Sequence, residues 1–188
     1  MGTFNVGIRL HDLPEGTVEE RFRMAAGQGF KCLQLPSKVL YASYGIDRGG
    51  LARELADHLR GLLDELGLSV AVLGCYQNLA TPDAAALEDA LAEYQACLQF
   101  ASWLGGCPVG TETGRPNAEN AVDEDRFSKE ALQRFCAHLE CFGAGTTGAY
   151  DMAQIAYWAA GSRLGIDCVV ENSTPDTAAQ SLAYLQQW

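Results

Sequence analysis

Positive charge is scarce in this chain. Thirteen Lys and Arg stand against 24 Asp and Glu, giving a formal net charge of −11 and a sequence pI of about 4.6, and no basic cluster forms a local exception. A polyanionic partner would be repelled, which argues against nucleic-acid binding. Long apolar runs are missing too. None approaches the ~20 residues that span a bilayer, and Met1-Gly2-Thr3-Phe4-Asn5 carries neither the basic nor the apolar part of a secretion signal. The expectation is a cytoplasmic protein without a membrane partner. No C-x-x-C pair occurs among the seven cysteines (Cys32, Cys75, Cys97, Cys107, Cys136, Cys141 and Cys168), and their odd count suits no closed disulfide framework. They read as small buried hydrophobes in a reducing compartment rather than as zinc ligands.

What is present is a repeat. With 48% hydrophobic and 20% charged residues the chain can bury a core and is far from the composition of disorder. Short apolar runs (Phe4–Leu10, Lys31–Leu35, Leu68–Gly74, Cys107–Glu112 and Ile166–Glu171) alternate with amphipathic segments. The joints leading into the later runs are written alike: Gln28-Gly29-Phe30, Leu66-Gly67-Leu68, Leu104-Gly105-Gly106 and Leu164-Gly165-Ile166. A glycine just past a helix end closes the helix in the left-handed conformation, and a strand follows.

The helices carry their own start signals. Thr17 with Glu20 is a capping box, and Val18, Phe22 and Ala25 fall on one face behind it. Leu55, Leu59, Leu62, Leu63 and Leu66 form a second apolar stripe, and Thr81-Pro82-Asp83 predicts a third helix start, echoed by Ser173-Thr174-Pro175-Asp176. The pattern loosens after Phe127. A helix from Ser128 to about Phe142 is followed by Gly143-Ala144-Gly145-Thr146-Thr147-Gly148 and a second candidate helix, Asp151 to Leu164. That glycine stretch follows a helix rather than a strand and lacks the G-K-[ST] ending of a phosphate loop. The expected fold is α/β: residues 1–188 form a single, partial (β/α) barrel of about five βα units with right-handed crossovers, incomplete at its C-terminal end and atypical over residues 143–163. A compact doubly wound domain is the alternative architecture.

Ligands of parallel α/β sheets bind at the carboxyl ends of the strands, so the residues there are the site candidates. These are His11 and Asp12 after the first run, Gln34 and Ser37 at the second, and Cys75, Tyr76, Gln77 and Asn78 after the third. Glu112 closes the fourth and Glu171 the fifth. A carboxylate ending an apolar run needs a cation, a metal or hydrogen bonds. His11 and Asn78 each have a local alternative, a loop histidine and a turn former. His58 and His138 read as surface or packing residues of helices, and Tyr76 as a core or rim aromatic.

Val6-Gly7-Ile8-Arg9-Leu10-His11-Asp12-Leu13, Leu33-Gln34-Leu35, Ala71-Val72-Leu73-Gly74-Cys75-Tyr76-Gln77-Asn78-Leu79-Ala80 and Val109-Gly110-Thr111-Glu112-Thr113-Gly114 resemble the xylose isomerase-like TIM barrels. Within that group the sugar phosphate isomerase/epimerase branch is the most similar. The resemblance implies a divalent ion (Mn²⁺, Mg²⁺ or Co²⁺) and a proton shuttled between neighbouring carbons of an open-chain sugar. It implies Glu171 as metal ligand and catalytic acid/base, with His11, Gln34, Asn78 and Glu112 lining the substrate side. The family's remaining ligands, an Asp, a His and a second Glu, come from strands six to eight, beyond the five units counted here. The superfamily also holds a DNA-repair endonuclease, from which the charge of −11 separates this chain. The reading is therefore a sugar (phosphate) isomerase or epimerase-like enzyme acting on a small sugar, sugar phosphate or cyclitol. Its rival is an inactive or partner-dependent partial barrel with a binding or structural role, which would run as a homo-oligomer to cover its sheet edges.

Overall fold

The five apolar runs become strands. In the computed structural model, which describes residues 4–111, 166–170 and 178–185, they are β1 (Phe4–Arg9), β2 (Cys32–Pro36), β3 (Ser69–Gly74), β4 (Val109–Gly110) and β5 (Ile166–Val170). All pair in parallel, in the order β4-β3-β2-β1-β5. Parallel neighbours cannot be joined by a hairpin, so each connection crosses back along the sheet. The described crossings are helical: α1 (Val18–Gln28) joins β1 to β2, α2 (Ser37–Tyr44) and α3 (Arg53–Leu66) join β2 to β3, and α4 (Ala84–Trp103) joins β3 to β4. A fifth helix, α5 (Ala178–Leu185), follows β5.

The punctuation read from the sequence holds at α1. Thr17 Oγ1 accepts from the Glu20 N–H at 3.2 Å, and Glu20 Oε2 accepts from the Thr17 N–H at 2.9 Å. Gly29 (φ 95°) and Gly67 (φ 64°) close α1 and α3 in the left-handed region, as the joints predict. Two details differ. The helix α4 is capped by Asp83, whose Oδ1 accepts from Ala85 and Ala86 N–H at 2.9 and 3.0 Å, while Thr81 accepts from Asp83 N–H at 3.3 Å. Aspartate is the better cap of the two, so the helix starts later than Thr81 suggested. The short α2 was not anticipated: it begins directly after Pro36 with no side-chain cap and spans only eight residues. The predicted helices Ser128–Phe142 and Asp151–Leu164, the glycine stretch between them and Ser173–Asp176 lie outside the described residues.

The placement of β5 is informative. Counting units along the chain would set it beside β4, but it pairs with β1 from Phe4↔Ile166 to Ile8↔Val170. That edge of β1 is where the last strand of a closed barrel sits. The sheet also curls. Cα atoms of β3 and β5 approach within 8 Å although β2 and β1 lie between them, whereas three spacings of a flat sheet would separate them by roughly 14 Å.

Alternation along the strands divides the sheet into two faces. Val6, Ile8, Leu33, Leu35 and Leu73 belong to one apolar cluster with Phe22, Leu59, Leu63 and Phe100 of the helices. Register partners place Gly7 beside Cys32, Arg9 beside Gln34, Gln34 beside Val72, and Gly74 beside Gly110 on the opposite face. Cys32 and Val72 are absent from the helix-side cluster, as two faces require. α5 packs near the end of α1, where Leu182 Cδ2 lies 3.6 Å from the position of a Cβ on Gly29.

Two predictions arise from this packing. A Cβ on Gly7 would sit 2.6 Å from both the carbonyl oxygen and the Sγ of Cys32. Gly7→Ala should therefore lower stability by about 1–3 kcal/mol through overpacking at the β1–β2 contact, read from urea denaturation; an unchanged midpoint would refute the close approach. At the start of α1, Glu19 Oε1 accepts from Tyr44 Oη at 2.8 Å and lies 3.1 Å from His58 Nε2. Burial pushes the Glu19 carboxyl up, but hydrogen bonds from its own backbone, Tyr44, His58 and Thr17 outweigh it and hold the group below its usual range. A depressed carboxylate contributes stability above its unfolded-state pKa that is lost as pH falls through the folded value. Glu19→Gln should thus destabilise at pH 7 and flatten the acid limb of the stability profile; equal loss at every pH would contradict the assignment.

Candidate functional site

Every polar or charged residue that is buried among the described residues lies at or just beyond the carboxyl end of a strand. They are Asp12 after β1, Gln34 on β2, Ser37 directly after it and Thr81 in the segment after β3. Polar groups buried elsewhere would cost free energy without a partner, so their concentration on one edge marks where the fold tolerates them.

Asp12 stands in a short 3₁₀ turn, Leu10–Asp12, that follows β1 without a break. Its two carboxylate oxygens accept from Arg9 Nε and Nη2, each at 2.9 Å, a bidentate pair with both partners largely covered. His11, in the same turn, is 42% exposed and its Nε2 is 3.8 Å from Asp12 Oδ1. It lies just past the end of β1, open to solvent. Gln34, register partner of Arg9, is 5% exposed and donates from Nε2 to Tyr76 Oη, while its buried Oε1 has no partner among the described residues. Turning the amide over would exchange which end is orphaned without removing the orphan.

Tyr76 reaches Gln34 because Gly74 has no side chain: a Cβ there would lie 2.7 Å from the ring Cε2. Beyond it Gln77 N–H donates to Thr111 Oγ1 at 3.4 Å, tying the segment after β3 to the end of β4. Asn78 Oδ1 accepts from Ala80 N–H at 3.3 Å, the turn arrangement its position suggested. Thus His11 and Gln34 belong to one edge, and Asn78 serves the neighbouring turn. Glu112 and Glu171 lie outside the described residues. Arg9 was not singled out from the sequence and Tyr76 was read as a core or rim aromatic; an Arg three residues before an Asp across a strand end is a legible cue for the first, whereas the second depends on a glycine opposite it in space.

Both oxygens of Asp12 are engaged by Arg9, and the group of three ligands that converges among the described residues, Cys75 with Glu93 and Cys97, includes neither Asp12 nor His11. A hard divalent cation needs several oxygen ligands, so these residues do not make its cage. No helix among the described residues is long and apolar enough to cross a membrane.

The parallel order, the curl and the polar carboxyl edge match one known group. The family model described as xylose isomerase-like TIM barrel matches residues 22–146. The chain belongs to that family. Its fold is that of a partial (β/α) barrel, and isomerases and epimerases stand among its structural neighbours. A D-psicose 3-epimerase from Clostridium cellulolyticum H10, solved with D-tagatose, is 17% identical with a TM-score of 0.56 over 97% of this chain and 59% of that one. A xylose isomerase-like TIM barrel/4-hydroxyphenylpyruvate dioxygenase fusion protein is 17% identical with a TM-score of 0.53, covering 76% of this chain and 21% of that one. A xylose isomerase domain protein from Alicyclobacillus acidocaldarius is 14% identical, with a TM-score of 0.50 over 87% of this chain and 62% of that one. The chain thus spans less than two thirds of the length of these structures. No curated protein matches it by sequence.

The Arg9–Asp12 pair gives a direct test of the edge. Removing one partner leaves the other charge without its bidentate mate, so Asp12→Asn should cost about 1–3 kcal/mol. The double replacement Arg9→Met with Asp12→Leu should cost less than the sum of the single changes in a thermal double-mutant cycle; strict additivity would show that the pair is not formed.

Proposed function

We propose that this protein is a sugar isomerase or epimerase-like enzyme whose reaction is proton transfer at a carbon beside a carbonyl, on a small sugar, sugar phosphate or cyclitol. The observation that carries the reading is the buried amide oxygen of Gln34, without a partner among the described residues, on the polar edge of a xylose isomerase-like sheet. An unmet hydrogen bond at a buried polar atom costs roughly 1–3 kcal/mol, and a substrate hydroxyl or carbonyl reaching that edge would supply the missing partner. The printed names of the solved neighbours, a psicose epimerase among them, agree with a polyhydroxylated ligand.

In the proposed reaction a carboxylate removes the proton next to the carbonyl, charge collects on the enediolate oxygen, and the proton returns to the other face of the same carbon or to its neighbour. The family resemblance assigns the proton shuttle to Glu171, the residue after β5 in sequence. Gln34 would orient the sugar oxygens, His11 would meet the ligand from its exposed position, and Asn78 and Glu112 would complete the lining. The resemblance further makes Glu171 a ligand of Mn²⁺, Mg²⁺ or Co²⁺. Asp12, held on both oxygens by Arg9, would not serve as a second ligand beside it.

Exchange in deuterated water tests this reading. Incubating the protein with D-psicose, D-tagatose and a ketohexose phosphate, with and without Mn²⁺, should place deuterium on the carbon beside the carbonyl, seen by mass spectrometry. Glu171→Gln should slow exchange by about 100-fold or more, the scale of a lost general base, while calorimetric binding persists. Gln34→Leu should weaken binding roughly 10-fold, the equivalent of one hydrogen bond. Binding without exchange by the wild-type chain would favour a ligand-binding role, and no binding at millimolar sugar would reject both.

A further inference from the structure

A second group of reactive side chains gathers around Cys75, just past the end of β3, on the side of α2 and α4. Cys75 follows β3, and its N–H donates to Gly110 O at 2.8 Å, which fixes the backbone there. Glu93 and Cys97 stand four residues apart on α4 and so share a helix face. The Cys75 and Cys97 sulfurs and a Glu93 oxygen all lie within 4.8 Å of one another. Both cysteines are fully buried and free, whereas Glu93 is partly exposed and opens a path to solvent. Tyr41 of α2 completes the group: its hydroxyl donates to Glu93 Oε1 and is 3.9 Å from Cys97 Sγ.

Four donors from β3's end, α2 and α4 therefore meet in one place. The geometry points to a zinc site formed by Cys75, Cys97 and Glu93, with Tyr41 or a water in the fourth position. Two thiolates with a carboxylate suit borderline Zn²⁺ rather than the hard ions Mg²⁺ or Mn²⁺. Zn–S bonds of about 2.3 Å and Zn–O bonds of about 2.0–2.2 Å place tetrahedral ligands roughly 3.5–3.8 Å apart. Drawing in atoms that already lie within 4.8 Å requires a shift of side chains, not of helices.

Two thiolates and one carboxylate would leave a net single negative charge around Zn²⁺. Arg48 pairs with Asp89 on the helix that carries Glu93 and Cys97. The ion would clamp α2 and α4 to the end of β3, one residue before Tyr76, and so steady the segment that carries Tyr76 to Gln34.

Metal titration of the full chain decides this. Protein purified in reductant and stripped with chelator should take up one Zn²⁺ per chain in competition with a chromophoric chelator, and Co²⁺ should produce a thiolate-to-cobalt charge-transfer band. Cys75→Ser and Cys97→Ser should each weaken zinc binding by about 100-fold and abolish that band, and Glu93→Gln by about 10-fold. Cys136→Ser with Cys141→Ser, and Gln34→Leu, should leave binding unchanged. Circular dichroism of each variant separates lost metal from lost fold, and added Zn²⁺ should raise the Tm of the wild type but not of a folded Cys97→Ser. No zinc uptake, uptake undiminished in folded Cys75→Ser and Cys97→Ser, or a Cys75–Cys97 disulfide formed in place of metal binding would overturn the site.

Discussion

The parallel pairing of β1 on both of its edges is the constraint from which the rest of the structure follows. β2 takes one side and β5 the other, so the first strand of the chain becomes an interior strand and every neighbouring element is referred to it. A parallel interior strand is covered on both faces, and β1 meets that demand by alternation. Val6 and Ile8 go into the helix layer, while Gly7 and Arg9 take the other face. Gly7 lets Cys32 come into contact with the β1 backbone, a closeness that no other residue would permit. The curl that brings β3 near β5 then turns that second face inward and gathers the strand ends around a common edge.

Much of this was legible along the chain because it is local. Thr17 and Glu20 form their box within one turn, and Gly29 and Gly67 close their helices by a backbone conformation that glycine alone adopts readily. The strand count was legible for the same reason. The position of β5 was not, since nothing within Ile166–Val170 says which strand edge will accept it. Backbone hydrogen bonds are the same for every sequence, and a short apolar strand carries little register information beyond its two faces. Only the placement of the whole chain puts it on β1.

The candidate edge divides along similar lines. His11 and Gln34 were readable because a strand end turning from apolar to polar is a pattern in one dimension. The use made of Tyr76 was hidden, since its reach to Gln34 needs the bare backbone of Gly74 opposite the ring. The bidentate Arg9–Asp12 pair also changes what the edge can do. Among the described residues it engages the buried carboxylate of that edge, leaving the Gln34 amide and His11 to meet a ligand.

Without a C-x-x-C pair, burial was the simplest reading, and burial is what Cys32, Cys75 and Cys97 show. Yet sequence spacing finds only ligands that a loop or a helix turn brings together. Cys75 and Cys97 are separated by the segment before α4 and most of that helix, and it is the packing of α4 on the sheet that sets one sulfur against the other. A buried thiol surrounded by leucines would be inert packing. A pair of thiols beside a carboxylate and a phenol is a different object, because the sulfurs are buried in the company of other polar groups. Losing any one of them would leave the rest unpaired, so the cluster constrains α2, α4 and the end of β3 together, and through Cys75 it reaches the residue that holds Gln34.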